Sequence, residues 1–327
     1  MLSNALDFAL TYFGAIRSKV DEVISFDVAR NVKSMWVFYK GYRNSYQKRH
    51  KITAIDSGYN YREFRGYALY IQNTVWVSID GSSEEISNGV VDIDVISSSN
   101  IEYDLSLLSS IREIDFVYQL IQNTDIALID GSLIAVFSKI RKALFDGGNE
   151  LVEAKGFNIK DVLNNLLITL SLYPSKVFFI SKNSTAKDVL GLVKGDIYYF
   201  ERYTDGMPGY TKPVDLTNSR HIGIAVAAKT FRQSVKRVTG IDATIYMSYA
   251  RFEPFSRIYR IEFVGEAGEP VEPRIKHLID VLSQYIVSGY PYPLMRADQI
   301  ARVSIGDVER IATVLGISSD PYDREPL

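Results

Sequence analysis

The 327-residue sequence predicts an α/β fold, a mixed sheet flanked by helices, and three observations carry that expectation. Beginning at Ile52, three stretches in succession have strand character: ITAID is a short apolar run, while YREFRGYALYIQ and TVWVSID alternate. After a Ser/Asn loop at 97–100, DLSLLSSIREIDFVYQLIQN takes up a helical period, and IALID then reads as a strand buried on both faces. Beyond it helix and strand alternate, in LIAVFSKIRKALF, IKDVLNNLLITLSLY and VFFISK.

Taken in order, residues 1–50 read as a helical extension, with Leu6, Leu10, Phe13, Val20, Ile24 and Val28 at mixed spacings of three, four and seven. The Asn73-Thr74 step suggests a hairpin between two of the early strands, of which the first is central. IYYFER, HIGIAVAA, TIYMSYARF and IYRIEFV are further strand candidates, and a helix from about Pro273 carries Ile275, Leu278, Ile279, Leu282 and Ile286 on one face.

Composition narrows the chemistry. A hydrophobic fraction of 46% is ample for a large core. The absence of cysteine excludes disulfides, thiolate metal sites and a cysteine nucleophile, and fits a reducing compartment. The three histidines, His50, His221 and His277, are too scattered for a His-rich zinc centre, so a bound metal must be held by carboxylates. Asp7 falls where a signal peptide needs its apolar core, and no stretch reaches the roughly 18 apolar residues of a membrane span, so a soluble cytoplasmic protein is expected. With 37 Lys and Arg against 39 Asp and Glu, any nucleic-acid contact must rest on local patches.

Two aspartates share a context. Asp56 in KITAIDSGYN and Asp130 in IALIDGSLI each end an apolar run and are followed by small residues, which leave room for a cation and a phosphodiester. Either alone also reads as a turn or a helix cap. Asp80 in VSIDGSS repeats the triplet, but its strand alternates and SSEE follows, which marks a hairpin. On the intervening helix, Glu113 has Phe116, Val117 and Leu120 on one side and Ser109 and Ser110 on the other, so it points inward, where only a cation would make it inexpensive. Asp115, with Arg112 three residues before it, reads as a solvated ion pair.

The order Asp56, Glu113, Asp130, in the wording IDSG, E and IDGSL, resembles the NurA family of ribonuclease H-like nucleases. VFFISKNS, ending at Lys182, and GYPYPLMRAD, containing Tyr290, resemble two further motifs of that family, and the resemblance spans roughly residues 50 to 302. It implies a ribonuclease H-like nuclease domain over 51–327 and a metal-dependent deoxyribonuclease acting in end resection at double-strand breaks. It also implies 5′ to 3′ digestion of single- and double-stranded DNA with single-strand endonuclease activity, a homodimer, and a HerA-like hexameric ATPase as partner. Some family members have histidine where this chain has Asp298; an aspartate can still ligate a hard ion, or it can open the helix ahead of QIARV.

In that reading Asp56 bridges two Mn2+ or Mg2+ ions, Glu113 and Asp130 hold one each, and Lys182 stabilises the phosphate or leaving oxygen. The three acidic residues are expected within ligand distance of those ions. For grip on DNA, YKGYRNSYQKRHK interleaves tyrosines with Lys40, Arg43, Lys48, Arg49 and Lys51, and Lys229, Arg232 and Lys236 share a helical face; Tyr290 is grouped with them. Both basic stretches also suit a solvated helix face. Two other classes compete: a non-catalytic nucleic-acid or partner-binding module, and an ATP-binding protein of the actin and sugar-kinase type, whose first strand also ends in Asp-x-Gly. The surplus apolar surface of the N-terminal helices and of the helix from Ile275 to Ile286 fits the homodimer.

Overall fold

The computed structural model describes residues 2–15, 26–39, 50–81 and 84–317. Two helices, α1 (Leu2–Thr11) and α2 (Phe26–Met35), lead into β1 (Trp36–Phe38) and a meander of three twelve-residue strands, β2 (Ile52–Glu63), β3 (Ala68–Ile79) and β4 (Glu85–Ile96). There follow α3 (Ile101–Leu120), β5 (Ile126–Asp130), α4 (Leu133–Phe145), α5 (Glu150–Ala154), α6 (Ile159–Leu172) and β6 (Val177–Ser181). The second half holds α7 (Asp196–Tyr203), β7 (Gly209–Thr211), β8 (Val214–Asp215), α8 (Ile222–Thr239), β9 (Ala243–Arg251) and β10 (Tyr259–Glu266). The chain closes with α9 (Glu272–Leu282), β11 (Ile286–Val287), β12 (Tyr290–Pro291), α10 (Tyr292–Ala301) and α11 (Ile305–Val314).

Ten strands form one mixed sheet, ordered β1-β7-β9-β10-β6-β5-β2-β3-β4 with β8 beside β9. Only β2, β5 and β6 run parallel to one another; every other pairing is antiparallel. Strand alternation divides the core between the two faces. Ile55, Ala127 and Ile129 pack with Leu105, Ile111 and the helices that follow, whereas Ile52, Ala54, Ile126 and Leu128 pack with Ile275, Leu278, Leu294 and Ala297 of α9 and α10.

Several sequence expectations change here. The first 50 residues are not helical throughout, because Trp36–Phe38 is a strand paired with Gly209–Thr211. The chain does not turn at Asn73-Thr74: β3 runs through both, and the reversal lies earlier, where the Phe64 N–H donates to the Tyr67 carbonyl. β4 is a strand that its Ser, Asn, Gly and Asp content concealed; it is an exposed edge whose Asp92 and Asp94 bind Arg112 and Lys155. IYYFER and HIGIAVAA are helices. In the first, Tyr199, Phe200 and Tyr203 are buried at helical spacing; in the second, Ala225, Ala228, Phe231 and Val235 are, while Ile222 and Val226 face solvent. Ile286 belongs to β11 rather than to α9, and the face of α9 carrying Ile275, Leu278, Ile279 and Leu282 is consumed in the chain's own core.

Candidate metal centre

The centre is set by strand register. β2 and β5 pair in parallel up to Ile55 and Ile129, so the next residue on each, Asp56 and Asp130, stands side by side on the face covered by α9 and α10. Asp130 ends its strand, as expected. Asp56 does not: β2 continues to Glu63, and the small residues after Asp56 serve packing as well as access. A Cβ on Gly58 would lie 2.4 Å from the Ala301 carbonyl oxygen, so glycine there lets the end of α10 lie directly on the sheet. That contact brings in Asp298, which sits within α10 rather than ahead of a helix.

Asp56, Asp130 and Asp298 each place a carboxylate oxygen within 4.8 Å of the others. Lys182, just past β6, answers part of this charge, with Nζ 2.7 Å from Asp130 and 3.3 Å from Asp298. Arg302 donates to the other side of Asp298 at 3.1 Å. Burial, with Asp130 as a second cause, pushes the Asp56 carboxyl up to about 7. Asp130 is raised as well, chiefly by burial, although Lys182 opposes the shift. Against this cluster lies Tyr290. Its ring is 4.8 Å from the Lys182 ammonium and 5.0 Å from Tyr259, and its buried hydroxyl reaches toward Asp130, whose carboxylate it helps to hold ionised. Burial, then Asp130 and Asp56, raises its pKa.

This donor set fits a hard divalent cation. All three ligands are oxygens, and their mutual repulsion is only partly answered by one lysine.

Glu113 is not a member of the three-oxygen cluster, because α3 covers the opposite face, the one to which Ser57 rather than Asp56 points. It remains a close electrostatic neighbour: burial and then Asp56 hold its carboxyl well above the usual range, with Ser57 and Lys139 partly offsetting them. Sequence reasoning passed over Lys139, whose ammonium donates to Ser106 and Ser110 on α3; its place on one face of an apolar helix was the available signal. Asp298, the weaker candidate in sequence, joins the centre.

The proposed DNA contacts scatter. Lys40, Arg43, Lys48 and Arg49 lie outside the described residues. Lys51 precedes β2, at the opposite end of that strand segment from Asp56, about 17 Å away. Arg232 donates to both carboxylate oxygens of Asp242, at 2.6 and 2.9 Å, and Lys236 approaches the same group at 3.8 Å; Lys229 is exposed. Tyr290, at 9% exposure, is buried beneath the carboxylates and offers no open ring for base stacking.

The DNA double-strand break repair nuclease NurA of Sulfolobus acidocaldarius is 26% identical over 312 residues, covering 90% of this chain and 89% of that protein. Its namesake from Sulfurisphaera tokodaii is 25% identical over 327 residues, covering 94% and 93%. Among solved structures, the NurA nuclease from Sulfolobus solfataricus superposes with a TM-score of 0.72 at 20% identity over 97% of both chains. A NurA structure bound to dAMP and manganese gives 0.59 at 12% identity over 98% of both. These superpositions establish a shared fold. The NurA domain profile matches residues 50–303, a span that contains the whole carboxylate centre, and the chain therefore belongs to the NurA domain family.

Proposed function

We propose that this protein is a metal-dependent DNA nuclease acting at double-strand breaks. One observation carries the proposal: three carboxylates from two parallel strands and a late helix meet within 4.8 Å. The names of the curated relatives supply the substrate, and the manganese in a structure of the same fold supplies the preferred metal.

Asp56, Asp130 and Asp298 would hold divalent cation, Mn2+ in preference to Mg2+. When bound, such ions neutralise phosphate charge and lower the pKa of water; two ions of this kind suit phosphodiester hydrolysis. The chain's own residues do the rest. Lys182 presents its ammonium at the mouth of the centre, where a non-bridging phosphate oxygen can replace one of its two carboxylate partners. The Tyr290 hydroxyl has a proton to donate toward Asp130. Glu113 is buried, and burial and then the charge of Asp56 hold its carboxyl well above the usual range.

The finer reading is that of a 5′ to 3′ exonuclease on single- and double-stranded DNA with single-strand endonuclease activity, working as a homodimer with a HerA-like hexameric ATPase. The ordered IDSG, IDGSL, Ser-Lys and Tyr-Pro motifs support it. So do exposed apolar residues: Leu6, Phe8, Leu10 and Phe13 near the N-terminus, and Val90, Val91, Ile93 and Val95 on β4. The test is degradation of 5′- and 3′-end-labelled duplex and single strands with Mn2+, Mg2+ or chelator. Activity that returns with Mn2+ after chelation is expected. Tight DNA binding with no cleavage under any divalent ion would replace this reading with the binding module.

A further inference from the structure

A cavity of about 910 Å³ with a cationic wall lies against α4 and α8, which pack on the sheet face opposite the carboxylate cluster. The two sites are contiguous in sequence: Ser132, two residues after Asp130, and Ser181, next to Lys182, both line it. Lys187, Lys194 and Arg260 stand in its wall, and no carboxylate does. The first residues of α8, Gly223 and Ile224, line it too, so the positive end of an 18-residue helix borders the space.

Arg260 is the informative member. It is 2% exposed and wedged between two buried carboxylates, its Nη1 donating to Asp188 and its Nε donating to Glu262 at 2.6 Å. Those acids compensate its charge, and they are themselves occupied: Asp188 accepts from Ser219, and Glu262 accepts from Ser132 and the Ile134 N–H. The remaining nitrogen, Nη2, is buried without a partner. A buried guanidinium N–H left unpaired is costly, and an anion in the adjoining cavity would satisfy it. Neither Lys187 nor Lys194 pairs with a carboxylate among the described residues, so their charge is open to the same anion.

We infer that this cavity is a binding site for the terminal phosphomonoester of a nucleic-acid strand. A concavity of this volume takes roughly one nucleotide, and it admits a strand end more readily than a continuous backbone. A terminal monoester also carries more charge than an internal diester, which suits two free ammonium groups and a guanidinium fork. The inference rests on the nuclease reading, but binding tests it without catalysis.

The experiment is fluorescence anisotropy, in chelator, with one single-stranded oligonucleotide carrying a 5′-phosphate, a 3′-phosphate or neither. One phosphorylated form is expected to bind about ten-fold tighter than the unphosphorylated strand. Which form does so identifies the end. Millimolar inorganic phosphate should remove that advantage and leave the unphosphorylated strand's affinity unchanged. Lys187→Ala with Lys194→Ala should abolish it, and Lys194→Glu should do so alone; both lysines lie outside the core, so folding is retained. Equal affinity for all three strands, or an advantage that survives these substitutions, would overturn the site. Cleavage by wild type does not enter these outcomes, so loss of the nuclease reading would register separately.

Discussion

Ile-Asp-Gly occurs twice, at Ile79–Gly81 and at Ile129–Gly131, and the two copies have different fates. Asp80 is exposed in the turn between β3 and β4. Asp130 ends a strand whose four preceding residues are all buried, and its side chain is 19% exposed between Asp56, Asp298 and Lys182. The triplet is the same; the neighbouring strands differ. β5 is flanked on both sides by parallel strands, which places its C-terminal end in a crevice, while β3 hands its chain to an antiparallel neighbour across a short turn. The strands on either side, parallel at β5 and antiparallel at β3, separate a carboxylate that joins the cluster from one in a turn.

Substitution should expose this contrast most strongly. Asp130→Ala or Asp56→Ala is expected to lower DNA degradation by at least about a thousand-fold, with Asp80→Ala within about two-fold of wild type. Comparable losses at all three would remove the distinction. Lys182→Ala should cost about a hundred-fold in kcat, because it removes a charge that meets phosphate rather than one that builds the centre. An unchanged kcat would confine Lys182 to balancing Asp130 and Asp298.

Stability sharpens the comparison from another side. The folded-state pKa of Asp56, about 7, lies above its ordinary 3.8, so folding favours its protonated form. That contribution is complete below about pH 4 and is lost as pH rises toward 7. The metal-free protein should therefore melt at a higher temperature at pH 5.5 than at pH 8. Asp56→Asn should raise metal-free stability at pH 8 by roughly 2 kcal/mol while abolishing cleavage, whereas Asp80→Asn should change neither. Added Mn2+ should recover the wild-type loss at pH 8. A melting temperature independent of pH and metal would contradict the clustered geometry. At Gly131, whose φ of +119° disfavours a side chain, Gly131→Ala should destabilise by about 1 kcal/mol, since nothing stands within 4 Å of the added Cβ.

Much of the sheet was legible in sequence because its central strands are covered on both faces. ITAID, IALID and VFFIS are continuous apolar runs for that reason, and each is a strand. β4 was not legible, since an exposed edge strand needs no apolar run. HIGIAVAA misled because a helix with alanines on its buried side and Ile222 and Val226 in solvent has no clear polar stripe. In the site, Asp56 and Asp130 announced themselves through the strands that carry them. Asp298 depended on tertiary contact: nothing local shows that α10 lies on the sheet where Gly58 permits it. Glu113 was legible as inward-pointing, and it is buried, but helical spacing does not report which side of a sheet a residue reaches.

The close seat of α10 on Gly58 also sets the order of assembly. Asp56 and Asp130 belong to the early half of the chain, and Asp298 arrives only when the last helices fold back onto it. A chain emerging from the ribosome can form the two strands and still lack the third carboxylate, so a polypeptide interrupted before α10 would carry only two members of the cluster. The cluster is thus complete only when the chain's last helices are in place.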